Sequence, residues 1–141
     1  MAGVTLPLAS LEDVALVRSV AGDLAALLQL APEQQISLAT AVWQVARCAA
    51  GLRGELESAV VDAPPSAAVR VTVSGVPAAR LGAAPADRLD LDALRRLVDR
   101  VESSEVDEYA TLRLSAQADP DAWVPDPDEL EWALRRMTRR P

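Results

Sequence analysis

Histidine, lysine and asparagine are absent from this 141-residue chain, and cysteine occurs once, as Cys48. A Walker A lysine, a Ser/His/Asp triad, a Cys/His dyad and a phosphorylated histidine each need a residue type that is missing. A zinc site needs several Cys or His ligands, which one cysteine cannot supply. A lone cysteine also rules out an intramolecular disulfide, which suits a reducing compartment. No metal and no cofactor is expected. The chain lacks a basic segment followed by an apolar core at its start, and no apolar run approaches the ~20 residues that span a bilayer. A cytoplasmic protein with no membrane segment is the expectation.

Positive charge is also scarce, with 14 basic against 21 acidic side chains and a formal charge of −7. Nucleic-acid binders concentrate positive charge to release counterions from phosphates, so no nucleic-acid partner is expected. The arginine pairs at 95/96, 135/136 and 139/140 read as solvated faces. What remains is plentiful apolar surface: 50% of the residues are hydrophobic. That is enough for one domain with a single core.

Val4 to Leu8 alternates and reads as a strand, with Pro7 at an edge or at the strand's end. Ser10 with Asp13 three residues on is a helix-start signature, and Val14, Val17, Ala21, Leu24 and Leu28 then form one apolar stripe. A second helix is predicted from Pro32 to Ala50, stopped by Gly51, with Ile36, Ala39, Val42 or Trp43, Ala46 and Ala50 as its apolar face. Glu55 to Val61 and Val69 to Val73 alternate around the turn Asp62 to Ser66, which predicts a hairpin. Ser74 to Arg88, rich in Gly, Pro and Ala, reads as a loop. Leu89 to Val101 returns to helical spacing, with Asp90 and Asp92 as capping residues. Tyr109 to Leu114 reads as the last strand, with Ala110, Leu112 and Leu114 on one face. Asp119 to Asp128 holds three prolines and reads as an extended connector to a helix from Glu129 to Arg140. Residues 1–117 are therefore expected to form the main domain, and 118–141 a connector and C-terminal helix.

That order predicts an α/β two-layer sandwich, with a mixed, mostly antiparallel sheet and helices on one face. Together with three segments it resembles the GHKL ATPase family, closest to the bacterial anti-sigma-factor serine kinases of partner switching. Ser10 to Val20 (SLEDVALVRSV) is similar to that branch's first-helix opening. Thr40 to Cys48 (TAVWQVARC), inside the run Ile36 to Ala50, resembles its N box. Leu89 to Glu102 followed by YATLRL resembles its last helix and closing strand. The likeness extends over about Val4 to Ala116.

The resemblance implies a general-base Glu and a magnesium-binding Asn in the N box, where this chain has Gln44 and Cys48. A carboxamide cannot take up a proton in the working range, and a thiol is a poor ligand for Mg²⁺. It also implies an adenine-reading Asp after VRVTV, where Val73 or Ser74 stands, and a glycine-rich lid where Asp90 and Asp92 precede the last helix. A catalytically inactive, ATPase-like domain is the expectation, acting by protein contact on a sigma factor, an anti-sigma antagonist or a phosphatase module. Homodimerisation is implied as well, with the first and second helices as docking surfaces. Trp43, Trp123 and Trp132 are the aromatic candidates for partner contact, although such residues more often pack. Two alternatives stand beside this reading: a weak ATP-binding serine kinase, and an N-terminal sensory or dimerisation domain of a larger regulatory protein.

Overall fold

A computed structural model describes residues 2–49, 58–64, 68–81, 88–119, 121 and 124–138. Strand β1 (Ala2–Pro7) leads into helix α1 (Leu11–Leu27), whose N-cap is Ser10. Its hydroxyl accepts the Asp13 N–H at 3.3 Å while the Asp13 carboxylate accepts the Ala9 N–H at 2.8 Å, so one orphan donor of the first turn and the N–H just before the cap are satisfied. The predicted stripe of Val14, Val17, Ala21, Leu24 and Leu28 is fully buried.

Helix α1 ends with Gln29 in the left-handed region at φ 62°. Leu30 N–H reaches back to Ala25 O and Gln29 N–H to Ala26 O, both at 3.0 Å, the pattern that a glycine usually closes. Helix α2 (Pro32–Ala49) then returns antiparallel, and Gln34 Nε2 donates to Gln117 O at 3.1 Å.

The predicted face of α2 is rotated in the structure. Leu38, Ala41, Val42, Val45, Ala46, Cys48 and Ala49 are buried, whereas Ile36 is 69% exposed. Ile36 lies on the first turns, and apolar residues surround the helix closely enough that spacing alone does not choose the packed side. Ala50, also assigned to that face, falls outside the described residues.

Strands β2 (Ser58–Ala63) and β3 (Ala68–Pro77) form the predicted hairpin, with Val61 opposite Val71. The earlier part of the predicted strand, Glu55 to Glu57, lies outside the described residues. Ser74 to Pro77 is strand and not loop. The register shifts between Val73 and Val76, and buried Gly75 takes φ 85°, so glycine supports a bulge that returns Val76 to the core side. A single 3-10 turn follows at Ala78–Arg80.

Helix α3 is only Leu91–Leu97, where the sequence pattern runs on to Val101. Arg100–Val106 is instead a strand, β4, paired antiparallel with β5 (Tyr109–Gln117) through a turn in which Asp107 has φ 58°. This strand is absent from the sequence reading because VESSEV shows no buried alternation: Val101 is half-buried and the others are exposed. Ala110, Leu112 and Leu114 of β5 are buried as predicted.

The sheet runs β1-β2-β3-β5-β4, with every strand pair antiparallel; the one parallel contact among the described residues is the isolated bridge Leu81–Leu89. Helices α1, α2 and α3 cover one face, and the C-terminal helix α4 (Pro127–Thr138) packs on β1 and α1. Leu130 and Leu134 of α4 join the same core as Leu24, Val71 and Leu112. The architecture is the expected α/β two-layer sandwich with a C-terminal helix. Among the described residues no helix is long and apolar enough to cross a membrane.

Candidate functional site

A helical period of about 3.6 residues per turn puts Gln44 and Cys48 one above the other on α2. Both line a hollow of about 210 Å³, whose opposite wall is the entry to α3: Arg88, Leu89, Asp90 and Ala93, with Arg47 alongside. The structure thus brings together Gln44 and Cys48 and the segment at which the sequence resemblance implies a lid. Residues 82–87, the rest of that predicted segment, lie outside the described residues.

The chemistry available in the hollow is limited. Cys48 is buried at 5% exposure, packed as part of the core. Asp90 is committed as the N-cap of α3, its Oδ1 accepting the Asp92 N–H at 3.0 Å and the Ala93 N–H at 3.3 Å. Asp92 faces outward and pairs with Arg95 at 3.0 Å. Capping as the role of Asp90 was legible in the sequence, since an aspartate immediately precedes an apolar-periodic run.

Val73 and Ser74, where the sequence resemblance implies an adenine-reading carboxylate, are interior residues of β3, with Val73 fully buried toward the helices. The one buried acid of the described residues, Asp62, is on β2 and points to the sheet's other face. It accepts two hydrogen bonds from Arg70 and keeps that guanidinium's pKa above its ordinary value, chiefly through this bond and against the opposing effect of burial.

The two described tryptophans, Trp43 and Trp132, do not form one surface. Trp43 is half-buried between α2 and α1, with the Arg18 guanidinium 4.6 Å above its ring. Trp132 is 62% exposed on α4 with Arg136 at 4.7 Å, and α1 lies between α4 and α2. Trp123 lies outside the described residues. Cation–π stacking accounts for the orientation of both described rings.

A larger hollow, about 660 Å³, opens on the sheet face away from α1 and α2 among Arg70, Arg100, Glu102, Arg113 and Ser115. Sequence reasoning missed it because β4, which forms one wall, was not recognised as a strand. Its cations are set among Asp62, Asp99 and Glu102, so the lining is close to charge-balanced.

No protein-family model matches the chain, and none of the curated proteins matches it. Among solved structures it is similar to the RsbU and RsbW domains of Rv1364c from Mycobacterium tuberculosis, with a TM-score of 0.63 and 12% identity. The match covers 84% of this chain and 33% of that one, so the chain spans about a third of that protein's solved length. At this identity the likeness is one of fold.

Proposed function

We propose that this chain is a GHKL-like domain without nucleotide chemistry, acting by protein contact in bacterial partner switching or sigma-factor regulation. The observation that carries the reading is the pairing of Gln44 and Cys48 in one hollow whose carboxylate among the described residues, Asp90, is held as a helix cap through its Oδ1. Neither side chain takes a proton from a hydroxyl or offers Mg²⁺ a hard oxygen anion. The fold likeness to a chain with RsbU and RsbW domains supports the partner-switching setting.

The partner in this reading is a sigma factor, an anti-sigma antagonist or a phosphatase module. Arg47 and Arg88 beside the hollow favour one rival, a weak ATP-binding serine kinase, because cations at that position suit a triphosphate. Titration with Mg·ATP during thermal unfolding separates them. A ligand that binds only the native state stabilises it by about 2.7 kcal/mol at a hundredfold excess over its Kd. No shift is expected at millimolar nucleotide, and a saturable rise in Tm at sub-millimolar nucleotide would overturn the proposal.

A further inference from the structure

The two edges of the sheet are finished differently. β1 ends at Pro7 and has α4 packed against it, both devices that keep an edge strand from pairing with another chain. β4 has neither. It pairs with β5 in unbroken register from Arg100–Ser115 to Val106–Tyr109, without a proline or a bulge. Among the described residues no strand lies on its outer side, so its outward N–H and C=O groups form a free template.

Among the described residues, access to that template is open on both faces. α3 shelters only the start of β4, where Val101 is half-buried; Ser103 and Glu105 on the same side are exposed. On the other side Glu102, Ser104 and Val106 are exposed, with Val106 at 73% beside Tyr109. An exposed apolar side chain at the end of an otherwise polar strand offers one hydrophobic contact to an added strand.

Charge narrows what the edge accepts. Between residues 99 and 108 stand Asp99, Glu102, Glu105, Asp107 and Glu108 against the single Arg100. Asp99 accepts the Gln117 N–H at 2.6 Å and Glu102 lies 3.6 Å from Arg100. A second copy pairing antiparallel along β4 would bring these like charges together, which is unfavourable across strands. Glu102 sits among Arg70, Arg100 and Arg113, so the attraction for a basic strand comes from Glu105, Asp107 and Glu108, from which an acidic or uncharged strand gains nothing.

We propose that the free edge of β4 is a strand-addition site for an extended basic segment of a protein partner. Lysine or arginine would face Glu105 on one side of the strand, and an apolar residue would face Val106 on the other. Main-chain hydrogen bonds supply affinity and the alternating side chains supply selectivity. The inference rests on the reading that the chain works by protein contact, and it names the surface and the chemistry of the contact.

The probe is a capped peptide of about eight residues, matching β4 in length, in which lysine alternates with valine and threonine. Amide hydrogen exchange followed by NMR should show β4 amides slowed at least ~10-fold on binding, with other strands little changed. The same peptide with alternate backbone amides N-methylated keeps its charge but loses the ladder, and should give no such protection. The protein variant Glu105→Lys, at an exposed position, should bind at least ~10-fold more weakly. Equal binding by the N-methylated peptide, or protection mapped away from β4, would overturn the site. That outcome, with the nucleotide titration still silent, leaves the protein-contact reading standing; a nucleotide-induced shift removes that reading by a separate measurement.

Discussion

The Asp62 carboxylate grips the Arg70 guanidinium at both ends across the β2–β3 pair, 2.8 Å at Nε and 3.0 Å at Nη2. Gly3, the β1 partner of Asp62, lies so near that a Cβ there would sit 2.9 Å from the Asp62 Cβ. The pair is thus framed by backbone on one side and, on the other, by the hollow on the sheet face away from α1 and α2.

Asp62→Ala should therefore destabilise the domain by about 1–3 kcal/mol, because it takes the carboxylate from a largely covered guanidinium. Replacing both residues by threonine should cost less than Asp62→Ala alone, since no charge is then left behind. Urea midpoints for the single and double variants check this. An additive double variant would mean that the two residues are uncoupled.

The rotation of α2 gives a paired test. Leu38 is fully buried and Leu38→Ala should cost about 2–5 kcal/mol, the range for a core leucine. Ile36→Ala, at a 69% exposed position, should change stability by no more than about 0.5 kcal/mol. Denaturant unfolding of the two variants would reverse in rank if the face predicted from spacing were the packed one.

Gln29 closes α1 at a φ of 62°, which glycine adopts without steric cost. Gln29→Gly should raise stability by about 0.5–1 kcal/mol, the left-handed penalty less the added freedom of the unfolded chain. Calorimetric Tm reads the sign directly.

Introducing the pair that the sequence resemblance implies, Gln44→Glu with Cys48→Asn, should not create kinase activity, because Val73 and Ser74 remain strand residues and Asp90 remains a helix cap. Placing a carboxamide at the buried Cys48 position should also lower stability by about 1–3 kcal/mol. A phosphotransfer assay with radiolabelled ATP, run beside urea unfolding, reads both effects. Measurable transfer would contradict the view that the adenine and phosphate contacts are missing too.

The readable parts of the chain are those where one local cause decides the outcome. Ser10 and Asp13 fix a helix start by hydrogen bonds within four residues. The α1 stripe and the buried face of β5 follow from burial on one side only. The candidate pair Gln44 and Cys48 was legible for the same reason, since one helical turn separates them. Strand β4 was not, because its stability comes from pairing with β5 and its side chains face solvent. Nor was the continuation of β3, where Gly75 and Pro77 signal a loop locally but serve as a bulge and a strand end.

By itself the sequence determined the fold class, the helix starts, the alternating strands and the absence of residue types that several mechanisms require. Periodicity and capping are short-range, so they survive without knowledge of neighbours. Tertiary structure decided which side of α2 is packed, where α3 yields to β4, and that Arg88 and Asp90 stand across from Gln44 and Cys48. It also decided that α4 packs on one edge strand of the sheet, while among the described residues no strand lies beyond the other. Those are relations between residues far apart in the chain, set by which surfaces exclude water together, and no local pattern encodes them.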